Sequence, residues 1–203
     1  MPSTIKTCAN PGCLHLIADE IAVGFGRTSS LFACEQAGIQ PDFLCLSKGL
    51  TGGYLPLSVV MTTDPVFEAF YDEEISRGFL HSHSYTGNAL ACRAALPVLN
   101  ILESEGMLQR NRQRASWVNA RCENLRNDRR VRHFRTTGMI WAFDIVRVEA
   151  GFGREFYRRA IEAGVLLRPI GSTVYWMPPY IVEEQDMELL VRSVETIIAQ
   201  MTP

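Results

Sequence analysis

Short apolar runs separated by helical patterns constrain the fold of this chain more than any other feature of its sequence. Three such runs, at 14–18, 43–46 and 57–61, stand early in the chain, and each has the length of a strand. A continuous apolar run of this length, bounded by turn residues, is typical of a buried strand. A helix is predicted next, over 64–71, with Asp64 as its N-cap and a proline in its first turn. Strands that alternate with helices predict an α/β fold.

The later part of the chain predicts a second unit that mixes helices with strands. Helices are predicted over 88–105 and 107–127, with Gly106 as the C-cap of the first. The remaining predicted elements are strands over 131–136 and 139–146, a helix over 153–163, strands over 165–168 and 173–177, and a helix over 183–201. This change of pattern predicts two α/β lobes with a boundary near 103–110.

The composition is that of an ordinary folded protein. Of the 203 residues, 47% are hydrophobic and 21% are charged, which excludes disordered, collagen-like and coiled-coil chains. No apolar run is long enough to span a membrane, and the first residues carry no secretory signal, so we expect a cytoplasmic protein without a membrane partner. The net charge of −2 predicts no strong attraction to polyanions.

The cysteines raise the question of disulfides or a zinc site. A disulfide framework is typical of short secreted chains, which this chain is not. Zinc sites use closely spaced cysteine pairs, and the nearest pair here is Cys8 and Cys13, with His15 beyond them. We therefore expect no metal and buried free thiols at the six cysteines, which are Cys8, Cys13, Cys34, Cys45, Cys92 and Cys122.

Nine arginines fall between Arg110 and Arg135. Such a cluster could bind nucleic acid, but nucleic-acid binders usually combine net positive charge with aromatic side chains that stack on bases. Here the chain is slightly acidic, and Trp117 and Phe134 are the aromatic residues nearby. We expect a solvated arginine-rich surface and no nucleic-acid partner, and nucleic-acid binding stays as a remote alternative.

Lysine is scarce, and this limits where lysine chemistry can occur. The 20 basic residues include two lysines, Lys6 and Lys48. Lys48 follows an apolar run and precedes a glycine-rich turn, while Asp19 ends the first apolar run. Each alone is compatible with an ordinary loop lysine or a strand-end carboxylate. Together they are the two protein groups that pyridoxal phosphate needs, a carboxylate for its ring nitrogen and an amine for its aldehyde.

Longer motifs around these two residues carry a family resemblance. The stretch D-E-I-A-V-G-F-G-R-T begins at Asp19, and P-D-F-L-C-L-S-K-G-L-T-G-G-Y-L-P-L-S begins at Pro41. Both resemble the class III (fold type I) pyridoxal-phosphate aminotransferases, and the resemblance covers nearly the whole chain. H-S-H-S-Y-T-G-N and L-R-P-I-G-S-T-V-Y-W-M-P-P-Y, further along, are most similar to the family members of the biotin pathway.

The resemblance implies an activity and roles for three residues. The biotin-pathway members transfer an amino group from S-adenosylmethionine to 8-amino-7-oxononanoate and use pyridoxal 5'-phosphate. By resemblance, Asp19 binds the pyridinium nitrogen and Ile21 packs against one face of the ring. Lys48 forms the Schiff base, contacts the substrate and then carries the proton between the α-carbon and the cofactor.

The resemblance also implies a shared site and a substrate pocket. Ser82, His83 and Ser84 match a segment that the family supplies from the neighbouring subunit, so a homodimer is implied. Ser84 would contact the cofactor phosphate with His83 beside it, and Ser82 would contact substrate. A hydroxyl and main-chain N–H groups just before a helix are suited to binding an anion. Arg168 matches the arginine that binds the substrate carboxylate, and Arg27 and Tyr175 match residues that line the pocket.

Length is the main departure from the family pattern. A family subunit is about twice as long, so the resemblance implies the C-terminal half of one. Residues 1–105 would be the C-terminal part of the cofactor-binding large domain, and 106–203 the C-terminal small domain. Two alternatives stay open: another class III aminotransferase that acts on an ω-amino acid, and a non-catalytic fragment that needs the missing half.

Overall fold

The computed structural model describes residues 14–104, 106–146 and 148–201. The chain divides into two compact units, Met1–Met107 and Leu108–Pro203. Each unit contains one three-stranded sheet with helices, so the predicted mixed α/β class is confirmed.

The sheet of the first unit places two strand ends side by side. Its strands are β1 (Ile17–Asp19), β2 (Phe43–Leu46) and β3 (Val59–Thr62), in that order across the sheet. β1 and β2 are parallel, with Asp19 opposite Cys45, whereas β2 and β3 are antiparallel. The helices of this unit are α1 (Ala33–Ala37), α2 (Asp64–Glu68) and α3 (Ala89–Ser104), and 3₁₀ turns span Lys48–Thr51 and Ile75–Arg77.

The first unit has a small hydrophobic core. Phe25, Leu46, Leu50 and Ala95 are buried together. The residues packed around them are Phe32, Leu44, Leu57, Leu99 and Leu102. The core therefore joins β2, the 3₁₀ turn that starts at Lys48 and α3 to the loop after β1.

The second unit is built on an antiparallel sheet with one buried face. Its strands are β4 (Val131–Thr137), β5 (Ile140–Ile145) and β6 (Thr173–Trp176), in that order. Burial alternates along β5 and β6, as expected of strands that pack one face on a core. Trp141, Phe143 and Val174 are fully buried on that face. The helices are α4 (Met107–Arg121), α5 (Glu123–Asn127), α6 (Phe152–Glu162) and α7 (Glu184–Met201).

Several predicted elements differ from the structure. The strand predicted over 14–18 is β1 at Ile17–Asp19, and its residues are exposed or half-buried rather than buried. All four residues of β3 are exposed as well. Residues 165–168 are not a strand: their backbone forms no ladder, although Val165 and Leu167 alternate into the core as strand residues would. The predicted helix over 107–127 is divided at Cys122 into α4 and α5. Helix α2 is capped by Thr63 rather than Asp64, which lies in its first turn, and it ends at Glu68.

The expectation of buried thiols is correct for one of the four cysteines that the structure describes. All four are free, but Cys92 is exposed, and Cys34 and Cys45 are half-buried. Cys122 is fully buried, and burial raises the pKa of its thiol to about 12. Cys8 and Cys13 lie outside the described residues.

The described residues contain neither a membrane-spanning helix nor a cluster of metal ligands. None of their helices is long and apolar enough to cross a membrane. Within the same ranges, no three His, Cys, Asp or Glu side chains lie close enough together to hold a metal ion.

Candidate active site

Asp19 ends β1 with its carboxylate oriented by the main chain. The N–H of Ile21 donates to Asp19 Oδ1 over 3.0 Å, which closes a short turn directly after the strand. The next residue, Glu20, continues the strand pairing, because its N–H donates to the carbonyl of Cys45 over 3.0 Å. The Asp19 side chain is exposed, so its second carboxylate oxygen can accept a bond from a ligand.

Lys48 begins the 3₁₀ turn that follows β2. Its φ is +41°, in the left-handed region that residues other than glycine seldom occupy. The turn is held on either side of this residue: Ser47 Oγ donates to the carbonyl of Leu57 over 2.7 Å, and the N–H of Leu50 donates to the carbonyl of Ser47 over 3.0 Å. The Lys48 side chain is exposed and forms no ion pair with any described residue.

Asp19 and Lys48 therefore stand at one edge of the sheet. Because β1 and β2 are parallel and Asp19 is opposite Cys45, Lys48 lies three residues past the point where the two strands pair. The carboxyl ends of parallel strands are where α/β sheets bind ligands. The structure thus places a carboxylate and a primary amine at the same edge of one sheet, although they are 29 residues apart in the sequence.

Glu20 was not among the residues predicted for the site, yet it is the most buried acid there. Its side chain is 2% exposed, and Oε1 accepts a bond from the N–H of Cys34 over 2.8 Å. Oε2 is buried without a hydrogen-bond partner among the described residues. The Glu20 carbonyl also accepts a bond from the N–H of Gly24 over 2.9 Å, so this residue organises the loop between β1 and α1.

Arg27 and Ile21 lie in that loop, and both are half-buried. Beyond Arg27, buried polar side chains fix the loop. Thr28 Oγ1 and Ser30 Oγ are 3.2 Å apart, and Gln36 Nε2 donates to Ser30 Oγ over 2.9 Å. The backbone around Arg27 is therefore anchored by hydrogen bonds, as a residue that positions a ligand requires.

The segment with Ser82, His83 and Ser84 is an exposed loop before α3. His83 Nδ1 accepts a bond from the N–H of Tyr85 over 3.1 Å, and the His83 N–H donates to Thr86 Oγ1 over 3.1 Å. Both bonds stay within the loop, and within the described ranges no hydrogen bond joins this loop to Asp19 or Lys48.

The start of α3 differs from the expected anion site in one respect. Asn88 Oδ1 accepts bonds from the N–H groups of Leu90 and Ala91, at 3.0 and 3.2 Å. These helix N–H groups are therefore capped by the protein itself. A phosphate at this loop would rely on the Ser84 hydroxyl and the loop main chain rather than on the first turn of the helix.

Arg168 and Tyr175 lie in the second unit and line one groove. The groove has a volume of about 520 Å³, and Met177, Pro178 and Leu189 also line it. Arg168 is exposed and makes no ion pair with a described residue, so its guanidinium is available to an anion. Tyr175 is half-buried on β6. A cation beside an aromatic hydroxyl in an apolar groove suits a ligand with a carboxylate and a carbon chain.

A larger cavity in the second unit contains none of the predicted site residues. It measures about 1210 Å³ and is lined by charged residues that include Arg129, Arg132, Asp144 and Glu155. It is an open, mixed-charge cleft, whereas small-molecule sites are mostly apolar.

Several arginines of the cluster have structural partners. Arg121 pairs with Glu188 at 3.1 Å, and Arg130 pairs with Asp128 at 2.7 Å. Arg126 lies over the ring of Phe134, 5.0 Å from its centroid. These contacts attach the cluster to α7, to the start of β4 and to the sheet, which is the arrangement of a structural surface.

The chain is similar to known transaminases in both sequence and fold. Residues 2–198 match the family Aminotransferase class-III. The adenosylmethionine-8-amino-7-oxononanoate aminotransferase of Helicobacter pylori is 41% identical over an alignment of 194 positions that covers 93% of this chain and 44% of that protein. The crystal structure of the protein of the same name from Methanocaldococcus jannaschii matches with a TM-score of 0.84 at 32% identity, covering 92% of this chain and 46% of that chain.

A cofactor-bound structure is among the similar folds. The amine transaminase of an uncultivated Pseudomonas species, solved in its PLP-bound form, matches with a TM-score of 0.84 at 31% identity and covers 93% of this chain and 45% of that one. This chain spans about half the length of the curated relatives that it matches. The expected fold, the C-terminal part of a fold type I aminotransferase, is confirmed. With the family match over nearly all of its residues, the chain belongs to the class III aminotransferases, a pyridoxal-phosphate-dependent family.

Proposed function

We propose that this chain supplies the C-terminal part of a cytoplasmic aminotransferase in biotin synthesis. The enzyme converts 8-amino-7-oxononanoate into 7,8-diaminononanoate, with S-adenosylmethionine as the amino donor. The observation that carries the proposal is the placement of Asp19 and Lys48 at the ends of neighbouring parallel strands. The 41% identity to the Helicobacter pylori protein supports the choice of substrates.

The described residues fit pyridoxal phosphate at this sheet edge. When bound, pyridoxal phosphate supplies an electron sink for negative charge on the carbon that bears the amino group. Asp19 would hold a proton on the ring nitrogen, because an exposed carboxylate oxygen stands beside the one that Ile21 orients. Ile21, which is half-buried, would cover one ring face.

Lys48 would hold the cofactor and then move a proton. Its amine is exposed and forms no ion pair with a described residue, so it is free to react with a carbonyl. With its amine unprotonated, Lys48 would also take the proton from the substrate carbon that bears the amino group. The rigid turn fixes where this transfer occurs, and general-base catalysis of this kind depends on such geometry.

The remaining predicted residues would complete the site, some from this chain and some from a second copy of it. Ser82, His83 and Ser84 would come from a second copy of the chain in a homodimer, which agrees with their bonding within their own loop. Arg168 would bind the carboxylate of the keto substrate with its two-pronged guanidinium. Tyr175 and Arg27 would line the substrate pocket.

A second candidate within the family acts on a different amine. The similarity to an amine transaminase, at 31% identity and a TM-score of 0.84, supports another class III aminotransferase as the alternative, one that acts on an ω-amino acid. A donor screen separates the two. Transfer from S-adenosylmethionine supports the proposal, and transfer from 4-aminobutyrate but not S-adenosylmethionine supports the alternative.

A third candidate is a non-catalytic fragment, which the half-length match to the relatives favours. The test is borohydride reduction of the 203-residue chain alone, and of the protein at its natural length, after incubation with pyridoxal phosphate. Peptide mapping then locates the label. Label on Lys48 in the natural-length protein supports the aminotransferase, and label confined to other residues overturns it. Turnover by the 203-residue chain alone would exclude the fragment reading.

A further inference from the structure

A phenylalanine outside the predicted site contacts the turn that carries Lys48. Phe25 stands between two glycines in the loop after β1, and its side chain is 4% exposed. A methyl group added at Gly49 would lie 2.9 Å from Phe25 Cδ2 and 3.0 Å from Phe25 Cβ. Contacts this short do not occur between real side chains, so position 49 must be glycine for the ring to lie where it does.

The backbone conformation is unusual at Phe25 and at Lys48, the residue that precedes Gly49. Phe25 has a φ of +59°, and Lys48, next to Gly49, has a φ of +41°. A bulky residue in the left-handed region is strained, and such strain persists where the surroundings determine the conformation. Backbone strain of this kind concentrates at functional sites. The two strained residues belong to different loops, and the Phe25–Gly49 contact joins them.

The loop of Phe25 is itself held firmly. Gly24 bonds to the carbonyl of Glu20, and the N–H of Gly26 donates to the carbonyl of Leu31 over 3.2 Å. The ring of Phe32 packs against that of Phe25 edge to face, with centroids 5.7 Å apart. Phe25 is thus supported by its own loop on one side and contacts the lysine turn on the other.

We propose that Phe25 is a positioning residue for Lys48, which it holds through the ring contact with Gly49. The inference rests on the proposed function, since it assigns a purpose to the placement of that amine. The ring prevents the turn from relaxing to an ordinary backbone conformation, and so it keeps the amine at the distance that the cofactor aldehyde requires. Phe25 does not touch substrate or cofactor in this assignment.

The test measures two properties of Lys48 in the protein at its natural length. The first is the rate at which borohydride fixes pyridoxal phosphate on Lys48, and the second is the rate of acylation of the same amine by a small reagent without cofactor. Peptide mapping reads both at Lys48. Phe25→Leu should slow fixation by about 10- to 100-fold, the range expected when a reacting group is displaced by about 1 Å. Acylation should stay within about 2-fold, because it needs exposure and not position.

Leu102→Ala is the matched control. It removes apolar side-chain atoms from the same core, on α3, and leaves the Phe25–Gly49 contact in place, so the fixation rate should stay close to that of the wild type. Gly49→Ala is a second, independent variant: its methyl group displaces the ring, and it should slow fixation as Phe25→Leu does. Circular dichroism identifies any variant that has lost its fold. If either Phe25→Leu or Gly49→Ala is unfolded, the fixation rate of the other tests the inference.

The outcomes separate this inference from the proposed function. If the wild type fixes the cofactor on Lys48 and Phe25→Leu and Gly49→Ala do so at the same rate as Leu102→Ala, Phe25 is an ordinary core residue and the inference is overturned. If acylation falls as much as fixation, Phe25 controls exposure rather than position, which also overturns it. If the wild type does not fix the cofactor on Lys48, the proposed function is wrong and the inference falls with it.

Discussion

The N–H of Glu20 donates to the carbonyl of Cys45, and this bond joins the ends of two strands that each deliver a reactive group. Asp19 immediately precedes the donor, and Lys48 follows the acceptor by three residues. The parallel pairing of β1 with β2 therefore sets the separation of the carboxylate from the amine.

Asp19→Asn should abolish most of the activity of the natural-length protein. Asparagine keeps an oxygen for the Ile21 N–H, so the turn is preserved while the negative charge is lost. Loss of a preorganised charge at the reacting group should lower kcat by about 100-fold or more. Steady-state kinetics measures the change, with Asp19→Glu as the variant that keeps the charge. Equal kcat in the wild type and Asp19→Asn would contradict the assigned role.

Asn88→Ala should destabilise the first unit through helix α3. The asparagine side chain accepts two helix N–H groups, and loss of such a cap costs about 1 kcal/mol. Urea unfolding followed by circular dichroism measures the free energy of unfolding. Asn88→Ser should recover most of the loss, because serine is also a good cap. Equal free energies of unfolding in the wild type and Asn88→Ala would show that the cap contributes nothing.

Asp144 should make the second unit sensitive to acid. Hydrogen bonds from Thr173 and then His133 hold the pKa of its carboxyl below the usual range. A lowered folded-state pKa contributes stability above the ordinary value of about 3.9, and the contribution is lost as the pH falls through the lower folded value. Asp144→Asn should therefore be less stable than the wild type at neutral pH, with a difference that narrows on acidification.

The control for this prediction is Thr173→Val. It removes the hydrogen bond that lowers the pKa of Asp144 most, and it keeps the shape of the side chain. Thr173→Val should lose part of the stability that Asp144→Asn loses at neutral pH. Urea midpoints measured from pH 7 down to pH 3 give both curves. Wild type and Asp144→Asn with parallel curves would mean that the carboxyl titrates alike in the folded and unfolded chains.

Cys122 should resist alkylation in the folded protein, whereas Cys92 should react. The Cys122 thiol is fully buried and its pKa is raised to about 12, so almost no thiolate is present at neutral pH. Cys92 is exposed on α3. Iodoacetamide labelling with peptide mapping, in native buffer and in urea, measures both. Equal labelling of the two in native buffer would mean that the second unit opens readily.

The arginine-rich surface should bind DNA weakly and with little dependence on salt. Arg121, Arg126 and Arg130 are engaged with neighbouring side chains, and the chain as a whole is slightly acidic. Affinity that rests on phosphate contacts falls steeply as salt rises. Electrophoretic mobility shifts over a range of salt concentrations test this. Strong binding at low salt that disappears at moderate salt would restore the nucleic-acid alternative.

The sequence predicted the strands that carry the site because their apolar runs are continuous and end at turn residues. β2 begins and ends where it was predicted, at Phe43–Leu46. Residues 165–168 have the same apolar character but lack a neighbouring strand, and strand pairing depends on distant parts of the chain. The break at Cys122 was missed because periodicity continues through it.

The site residues were predicted from their motifs, but the contacts between them were not. Two closely spaced glycines indicated that the loop after β1 permits close approach, yet the partner of that approach, Gly49, lies in another loop. The burial of Glu20 also depends on α1, because its carboxylate accepts a bond from the N–H of Cys34, fourteen residues away. Packing across such separations is a tertiary effect that local patterns do not encode.

The tight packing beside the lysine turn limits how this protein can be altered. A methyl group on Gly24 would lie 2.8 Å from the carbonyl oxygen of Glu20, and one on Gly49 would meet Phe25. Directed evolution toward new amines should therefore spare both glycines. Diversity belongs at Arg27, Arg168 and Tyr175, which the proposed function assigns to the substrate pocket and whose side chains are exposed or half-buried.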